Sequence, residues 1–534
     1  MRNFLYASLS GALLALAWPT YGFPLLMFFA FVPLLYIEFN IRTTRQKNSG
    51  WKVFFLAYWS FFIWNIITTY WIYFSTEVGG VFAVLVNSLL MTLVVLIYHK
   101  IAKRLNFLAG VVFLATLWMS FEYLHLHWDF SWPWLNLGNA FSEYPQWIQW
   151  YEYTGTFGGT LWIWITNLMI LKALLLFKQE NDQSILYRAG LRLVLLIGIP
   201  IGVSYYMWSS YSMEDESTIE VLILQPNIDP YSEKYNTDDE QIGKLLKQMT
   251  DENITPKTQL VIAPETVFAD GTDRSHFESS PAYQYGLQII KEYPQTAFLG
   301  GVSFYELIRK PENIGIQTNF LRPGLWFNDY NSAYLLANEH HQIYDKSKLV
   351  VGVETFPFQS VLKPLLGDIM IDLGGTVAMK TTQPDRGVFE FDDNNLTGPI
   401  ICYESVYGEF VNGYVENGAQ FLSIITNDAW WGNTEGHRQH MSYARLRAIE
   451  TRRDIARSAN TGISAIINQK GEVFHETEYE KRTVVLGDIH LNEKITFYTK
   501  YGDYIARVSI FMAFFIFLYG AFGNIKQRKQ ASAN

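Results

Sequence analysis

The chain of 534 residues contains one cysteine, Cys402, in the stretch GPIICYES (398–405). One cysteine cannot form an internal disulfide, so this thiol is either a filler of the apolar core or a reagent. A thiolate is a strong nucleophile, but at a reference pKa of about 8.5 the thiol needs a base or a cationic neighbour to ionise readily.

Two charged residues could supply that help: Glu265 in APET (263–266) and Lys346 in YDKSKLV (344–350). A carboxylate can take the thiol proton, and an ammonium group can stabilise the charge that develops on a carbonyl oxygen under attack. A solvated glutamate and a solvated lysine are the ordinary alternatives, and Lys348 competes with Lys346. These residue types therefore indicate attack of a thiol on a carbonyl group.

The elements that would position these residues are β-rich runs within 214–500. The predicted strands are 220–228, 259–266, 297–306, 331–338, 398–405, 421–431, 462–473 and 483–491, and the predicted helices are 238–252, 281–293 and 437–457. Alternation of this kind predicts a layered α/β or α+β domain. Glu265, Lys346 and Cys402 then lie where strands end and loops begin, which is where reactive groups usually lie.

The rest of the chain is much more apolar. Eight apolar runs approach the roughly 20 residues that span a bilayer: 3–18, 23–39, 52–74, 79–99, 105–126, 158–177, 189–209 and 505–523. The first run is short, but no small-residue cleavage site follows it, so we do not interpret it as a signal peptide. We predict a membrane domain at 1–213 with seven transmembrane helices, a catalytic domain at 214–500, and a C-terminal helix with its tail at 501–534.

The basic residues predict the orientation. Lys and Arg occur between runs two and three, four and five, six and seven, and after the last run, whereas the loop 127–157 has none. Basic loops stay in the cytoplasm, so both termini are expected there and residues 214–500 outside. A lone thiol outside the cytoplasm meets oxidants, which favours a chemical role over a filler. The net charge of −9 gives no reason to expect nucleic acid as a partner.

Glu265, Lys346 and Cys402, in this chain order, resemble the catalytic triad of the nitrilase superfamily. With the apolar runs and the motifs WPWLNLG (132–138), QPNI (225–228), YNS (330–332) and TNDAWWG (426–432), nearly the whole chain resembles the bacterial apolipoprotein N-acyltransferases. The resemblance selects Lys346 over Lys348. It implies a polytopic helical membrane domain of about eight spans in the cytoplasmic (inner) membrane, carrying an extracytoplasmic nitrilase-like α-β-β-α sandwich.

The resemblance also implies supporting carboxylates. Glu354 follows Lys346 by eight residues, where the family has a further functional glutamate, and Glu404 follows Cys402 by two. Both are expected to orient Lys346 or to balance the charge of the pocket, with a structural salt bridge as the alternative. The family's Pro-Phe-Gly before this glutamate is replaced here by residues 351–353, Val-Gly-Val, so the resemblance does not define the shape of this loop or the position of Glu354 as it does for the triad.

Other side chains are expected around the substrate. Asn331 matches a polar position of the family, although an amide that closes a turn would also explain it. The remaining candidates are Tyr235 at the rim, Tyr403 as a backbone N–H donor to an oxyanion, and Trp134 in a cavity that opens to the membrane. His437 and His440 lie three apart, as metal ligands could, but no third ligand pattern accompanies them. We expect neither a metal nor an organic cofactor.

The implied reaction is a two-step acyl transfer. A phospholipid would acylate Cys402, and the thioester would pass its acyl chain to the N-terminal α-amine of a diacylglyceryl-cysteine apolipoprotein. A membrane-anchored nitrilase-type amidase with water as acceptor, and a catalytically silent membrane scaffold, are the alternatives. The expected partners are the phospholipid donor, the diacylated apolipoprotein and membrane lipid, and the chain is expected to be a monomer.

Overall fold

The computed structural model describes residues 1–44, 46–213, 217–229, 237–338, 340–355, 358, 378–392 and 394–522. The chain divides into two compact units. The first contains Met1–Tyr70, Gly80–Ser209 and Asp503–Asn534, and the second contains Trp71–Gly79 and Ser210–Gly502. The second unit thus includes a short segment, Trp71–Gly79, that the sequence analysis assigned to the membrane domain.

The helices of both units have the following bounds in chain order. They are α1 (Arg2–Leu16), α2 (Met27–Ala30), α3 (Val32–Thr43), α4 (Ser49–Thr69), α5 (Ile72–Ser75), α6 (Glu77–Ala102), α7 (Phe107–His127), α8 (Tyr151–Thr154), α9 (Thr156–Glu180), α10 (Gln183–Ser210), α11 (Asp239–Asn253), α12 (Pro281–Glu292), α13 (Gly408–Glu416), α14 (Glu435–Thr451), α15 (Phe497–Tyr501) and α16 (Tyr504–Phe522).

Among the described residues, 7 helices are long and apolar enough to cross a membrane. They are Pro24–Thr43, which includes α2 and α3, followed by α4, α6, α7, α9, α10 and α16. Helix α10 carries exposed Leu191, Val194 and Ile199, as a helix does when lipid rather than water surrounds it. The first predicted run forms α1 with 15 residues. At 1.5 Å per residue this helix is about 22 Å long, shorter than the roughly 30 Å of a hydrocarbon core.

The second unit is built on two sheets. Its strands are β1 (Thr218–Gln225), β2 (Thr258–Ile262), β3 (Phe268–Asp273), β4 (Ala297–Ile308), β5 (Asn319–Arg322), β6 (Leu325–Ala337), β7 (His340–Asp345), β8 (Phe389–Asp392), β9 (Asn395–Ile401), β10 (Phe421–Thr426), β11 (Ile455–Ala459), β12 (Ala465–Ile467), β13 (Val473–Phe474) and β14 (Thr483–His490). One sheet has the order β14-β1-β2-β4-β6-β5, with β3 paired to β4 and β7 to β6, and the other has the order β13-β12-β11-β10-β9-β8.

Helices cover the outer face of each sheet. Leu246 of α11 and Ile289 of α12 pack in one buried cluster with Phe298 of β4. The inner faces meet, since Ser458 Oγ of β11 donates a hydrogen bond of 2.8 Å to the carbonyl of Leu224 in β1. Helices α13 and α14 belong to the crossovers that join the parallel strands β9, β10 and β11. The predicted α-β-β-α sandwich is therefore confirmed.

The parallel strands determine where reactive groups collect. Strands β1, β2 and β4 are parallel to one another, as are β9, β10 and β11. Loops that leave the carboxyl ends of neighbouring parallel strands emerge at one edge of a sheet. Glu265 follows β2, Cys402 follows β9, and Asn427 follows β10.

Candidate active site

Cys402 is the first residue after β9 and adopts an unusual backbone conformation. Its φ is +51°, in the left-handed region that non-glycine residues rarely occupy. A turn of 3-10 helix, Cys402–Val406, follows at once, and the hydroxyl of Ser405 donates a hydrogen bond of 2.7 Å to the carbonyl oxygen of Cys402. Such conformations cost roughly 1–3 kcal/mol and persist where the surroundings hold them, often at functional sites.

Glu265 has both carboxylate oxygens engaged. Oε1 accepts hydrogen bonds from Lys346 Nζ at 3.0 Å and Asn331 Nδ2 at 2.8 Å. Oε2 accepts one of 3.0 Å from the backbone N–H of Asn427. The backbone of Glu265 is held against Gly301 of β4, where a Cβ atom would lie 2.7 Å from Glu265 Cα. Only glycine permits this approach, which fixes the position of the Glu265 backbone.

Lys346 lies between two carboxylates, with its side chain 1% exposed. Its Nζ is 3.0 Å from Glu265 Oε1 and 3.0 Å from Glu354 Oε1. Burial disfavours the ammonium form, but the attraction of the carboxylates of Glu265 and Glu354 outweighs burial and raises the pKa of Lys346 well above its usual range. Lys346 therefore remains a cation in this pocket.

Glu354 reaches Lys346 despite the altered loop before it. Its backbone N–H donates to the carbonyl of Val350 at 2.9 Å, and its Oε2 accepts from the N–H of Val350 at 2.9 Å. Its Oε1 accepts a hydrogen bond of 3.0 Å from Asn331 Nδ2 as well as that of Lys346. Asn331 thus bridges both carboxylates that flank the ammonium group.

The thiol of Cys402 is neutral at rest. Burial raises its pKa well above the ordinary value, the negative charge of Glu265 raises it further, and Lys346 only partly opposes these effects. Because the neutral thiol is a poor nucleophile, the site requires a base during attack, and Glu265 is a charged carboxylate beside it.

This raised pKa predicts that alkylation of Cys402 needs a higher pH than alkylation of free cysteine. Alkylation by iodoacetamide consumes thiolate, so its rate in the full-length protein should still be rising with pH where that of free cysteine has levelled off. Because the charge of Glu265 contributes to the rise, Glu265→Gln should move the profile to lower pH. Rates measured by mass spectrometry across alkaline pH would check both expectations, and a wild-type plateau near neutral pH would contradict them.

Glu404 connects the loop of Lys346 to the strand of Cys402. Its Oε1 accepts hydrogen bonds from the backbone N–H of Ser347 at 2.6 Å and from the hydroxyl of Tyr344 at 2.7 Å. Its Oε2 accepts one of 2.8 Å from the N–H of Ile401. Two of these contacts are with the backbone beside Lys346 and Cys402, so Glu404 is placed to hold the loop and the strand in register.

Three predicted site residues remain: Tyr403, Trp134 and Tyr235. Tyr403 is buried, with its ring edge-on to that of Tyr407 at 5.3 Å between centroids. Trp134 is a buried residue of the first unit and stacks on Trp132 at 5.9 Å. Tyr235 lies outside the described residues. The expected roles of these three residues therefore stay predictions.

A second buried cluster, which was not predicted from the sequence, lies next to Cys402. His440 Nδ1 is 2.9 Å from Asp428 Oδ1, and Asp428 Oδ2 accepts a hydrogen bond of 2.7 Å from Arg457 Nη2. Burial raises the pKa of Asp428, but Arg457 and His440 outweigh it and hold that pKa well below its usual range. Asp428 lies in TNDAWWG directly after a buried strand, and this position is the sequence signal that points to the cluster. His440 was considered above only as a possible metal ligand.

A metal ion fits this cluster poorly. Ligand atoms of Cys402, Asp428 and His440 lie within 4.8 Å of one another. The oxygens of Asp428, however, already accept hydrogen bonds from Thr426 Oγ1 at 2.8 Å and from the guanidinium of Arg457. The fixed cation of Arg457 would repel a metal ion at this carboxylate.

Two buried polar atoms of the site are available to a ligand. Within the described part of the chain, Asn331 Oδ1 and Asn427 Nδ2 have no hydrogen-bond partner. A buried polar atom without a partner costs roughly 1–3 kcal/mol, a cost that a bound polar group can remove. The pocket thus presents one acceptor and one donor beside Glu265.

Two family models match the chain. Residues 10–169 match the model described as the apolipoprotein N-acyltransferase N-terminal domain. Residues 221–496, just over half of the chain, match the carbon-nitrogen hydrolase model. The second match contains Glu265, Lys346, Glu354 and Cys402.

Curated relatives are similar over nearly the full length. A protein of Chlorobaculum tepidum named apolipoprotein N-acyltransferase is 28% identical over 96% of this chain and 95% of its own. One of Geobacter metallireducens with the same name is 26% identical over 95% of this chain and 92% of its own. Among solved structures, Nit3 of Saccharomyces cerevisiae, described as a member of branch 10 of the nitrilase superfamily, is 13% identical with a TM-score of 0.36, covering 52% of this chain and 92% of its own.

Proposed function

This chain belongs to the carbon-nitrogen hydrolase family, and on that premise we propose that it is an apolipoprotein N-acyltransferase that moves an acyl chain from a phospholipid to a lipoprotein. The observation that carries the proposal is the buried contact of Glu265 with Lys346 beside the thiol of Cys402, in a chain whose apolar half matches the N-terminal domain of these acyltransferases. The full-length relatives of the same name support it.

In the first step, Cys402 is acylated. Glu265 takes the proton of the thiol as Sγ attacks the ester carbonyl of the phospholipid. The ammonium group of Lys346 stabilises the oxyanion, and the backbone N–H of Tyr403 donates a second hydrogen bond. The C–O bond then breaks, and protonated Glu265 returns its proton to the leaving lysophospholipid oxygen.

In the second step, the thioester passes its acyl chain to an amine. The α-amine of a diacylglyceryl-cysteine lipoprotein attacks the thioester carbonyl, Glu265 removes a proton from the nitrogen, and the same donors stabilise the second oxyanion. The C–S bond breaks, the amide forms, and the proton on Glu265 returns to the thiolate. Throughout both steps, Glu354 helps keep Lys346 charged and in place.

The membrane helices supply a reason for lipid substrates. The chain is a multi-pass membrane protein by its apolar helices and relatives. Each CH₂ group taken from the bilayer into water costs about 0.8 kcal/mol, so an enzyme that acts on two acylated substrates benefits from working at the membrane. A hydrolase of small amides would need one anchor at most.

Transfer is separable from hydrolysis by experiment. Wild-type protein acylated with phospholipid should discharge its thioester much faster when a diacylated lipopeptide with a free α-amine is added than in buffer alone. The matched control is the same lipopeptide with its α-amine acetylated, which should give no acceleration. Equal discharge by both peptides, or free fatty acid as the main product with acceptor present, would refute transfer and favour the amidase-like alternative.

The second unit lies outside the cytoplasm in this proposal, as the Lys and Arg distribution supports. Protease added to spheroplasts is therefore expected to cut within 214–500 and to spare tags at both termini. Western blots against the two tags and against an epitope in the catalytic domain would measure this. Loss of a terminal tag in intact spheroplasts would overturn the orientation.

A further inference from the structure

The carbonyl oxygen of Cys402 is held by a buried side chain that the proposed mechanism does not use. His440 Nε2 lies 3.2 Å from this oxygen and 3.0 Å from Ser405 Oγ. A carbonyl oxygen can only accept, so Nε2 carries the hydrogen in this contact. The thiol of Cys402 is the nucleophile, so His440 acts on the nucleophile's backbone.

The opposite side of the imidazole is fixed as well. Its Nδ1 lies 2.9 Å from Asp428 Oδ1, and ionised Asp428 can only accept hydrogen bonds. Arg457, whose side chain is 0% exposed, donates to Asp428 Oδ2 and to the carbonyl of Ile463 at 2.7 Å each. The ring orientation of His440 is therefore determined from two directions.

Packing leaves this arrangement little freedom. A Cβ atom at Gly462 would lie 2.6 Å from Asp428 Oδ2, so the backbone presses directly on the carboxylate. The ring of Trp431 lies edge-on to that of His440, with 5.6 Å between centroids. Close packing on both members makes Asp428 and His440 a rigid pair.

The geometry of a peptide unit carries the effect to the reaction centre. The described chain has no cis peptide bonds, and in a planar trans peptide the C=O of one residue and the N–H of the next point in opposite directions. Holding the carbonyl of Cys402 therefore determines the direction of the N–H of Tyr403. That N–H is the backbone donor to the oxyanion in the proposed mechanism, and donors of this kind act by being oriented in advance.

We propose that His440, fixed by Asp428 and Arg457, is a positioning residue that locks the Cys402–Tyr403 peptide so that the Tyr403 N–H faces the oxyanion. The inference rests on the proposed function for the identity of the reacting carbonyl. It also accounts for the left-handed conformation of Cys402, because the carbonyl of that residue has two anchors, His440 and Ser405.

A Cys-His-Asp triad is the competing interpretation of the same residues. In that case His440 would deprotonate the thiol directly, since ligand atoms of the three residues lie within 4.8 Å of one another. The structure instead directs Nε2 to the carbonyl oxygen and to Ser405, while Glu265 carries the negative charge beside the thiol. The two interpretations predict different behaviour toward reagents that need no oxyanion.

Two reactions of the full-length protein in detergent separate these interpretations. Acylation of Cys402 by a p-nitrophenyl fatty acyl ester passes through an oxyanion, whereas alkylation by iodoacetamide does not. His440→Leu should lower kcat for acylation by about 10- to 100-fold, a part of the 10²–10³ typical for losing one oxyanion donor outright. Its KM for the ester and its alkylation rate should stay close to those of the wild type.

Three further variants make the result decisive. His440→Gln can present an amide N–H near the position of Nε2 and should recover part of the acylation rate. Ser405→Ala removes the second anchor and should lower acylation in the same direction but less, which keeps the test open if the leucine variant does not fold. His437→Gln changes a buried histidine on the same helix whose ring stacks on Tyr479 at 4.2 Å, and it should leave acylation unchanged.

The outcomes are distinct. If acylation and alkylation fall together in a folded variant, His440 activates the thiol and the positioning role is wrong. If acylation is unchanged in His440→Leu and Ser405→Ala, the carbonyl anchor has no part in the reaction. Failure of phospholipid to acylate the wild-type protein would refute the proposed function but would leave the ester assay, and hence this inference, intact.

Discussion

Cys402→Ala is expected to abolish the acyl enzyme and all transfer. Removing the nucleophile of a covalent mechanism typically lowers kcat by on the order of 10⁵–10⁶-fold. The measurement is incubation of purified protein with radiolabelled phospholipid and no acceptor, followed by neutral hydroxylamine, which releases thioesters. Because Cys402 is the one cysteine among 534 residues, a hydroxylamine-labile adduct on the wild-type protein can form nowhere else.

The control for this variant is thermal unfolding. Alanine removes one small buried atom, so the melting temperature should change little while the adduct disappears. A labelled alanine variant, or a wild-type adduct that resists neutral hydroxylamine, would exclude the thioester and with it the proposed two-step mechanism.

Lys346→Met should lower the rate of acylation by about 10²–10³-fold, the usual effect of losing one donor to an oxyanion. Methionine keeps much of the length of the side chain but cannot donate a hydrogen bond or carry charge. Single-turnover acylation of Cys402 by phospholipid would measure the effect, with lipid binding assayed separately.

The Lys346→Met variant needs a control variant that keeps the net charge of the pocket. Without Lys346 the carboxylates of Glu265 and Glu354, each 3.0 Å from Nζ, would share a buried pocket with no ammonium between them. Removing one partner of a buried ion pair typically costs about 3–5 kcal/mol of stability. Lys346→Met combined with Glu354→Gln relieves that charge and should regain stability but not acylation. Recovery of acylation in the double variant would show that Lys346 acts only through stability.

Secondary structure, which depends on residues close to one another in the chain, was predicted well. The predicted strands and helices of residues 214–500 all have counterparts in the structure, because apolar periodicity and helix spacing are local properties. The errors occurred at element boundaries and at short elements that were not predicted at all, such as β3, β8 and α13. The predicted helix 437–457 ends at Thr451, where Arg452 adopts a left-handed conformation, and Ile455–Ala459 forms β11 instead. The predicted strand 462–473 contributes only the short strand Ala465–Ile467 and the first residue of Val473–Phe474.

The first apolar run illustrates another limit of one-dimensional patterns. Residues 3–18 are apolar enough to suggest a span, but α1 ends at Leu16, and Trp18-Pro19 interrupts any continuation. Proline disfavours the helical conformation of the residue before it, so the helix is shorter than the apolar run. Seven helices among the described residues have the length of a full span, and the shorter helix α1 forms at the remaining predicted run.

By itself, the sequence determined the class of chemistry and the kind of protein that carries it. One cysteine, a glutamate and a lysine after predicted strands, and long apolar runs are properties of residue type and order, which need no knowledge of distance. Only the tertiary structure decided which residues Glu404, Asp428 and His440 contact. Glu404 contacts residues 57 and 60 positions away, and His440 contacts the carbonyl of a residue 38 positions away. Such contacts arise because strand pairing and helix packing bring remote segments to one edge of the sandwich, and spacing along a chain does not encode that proximity.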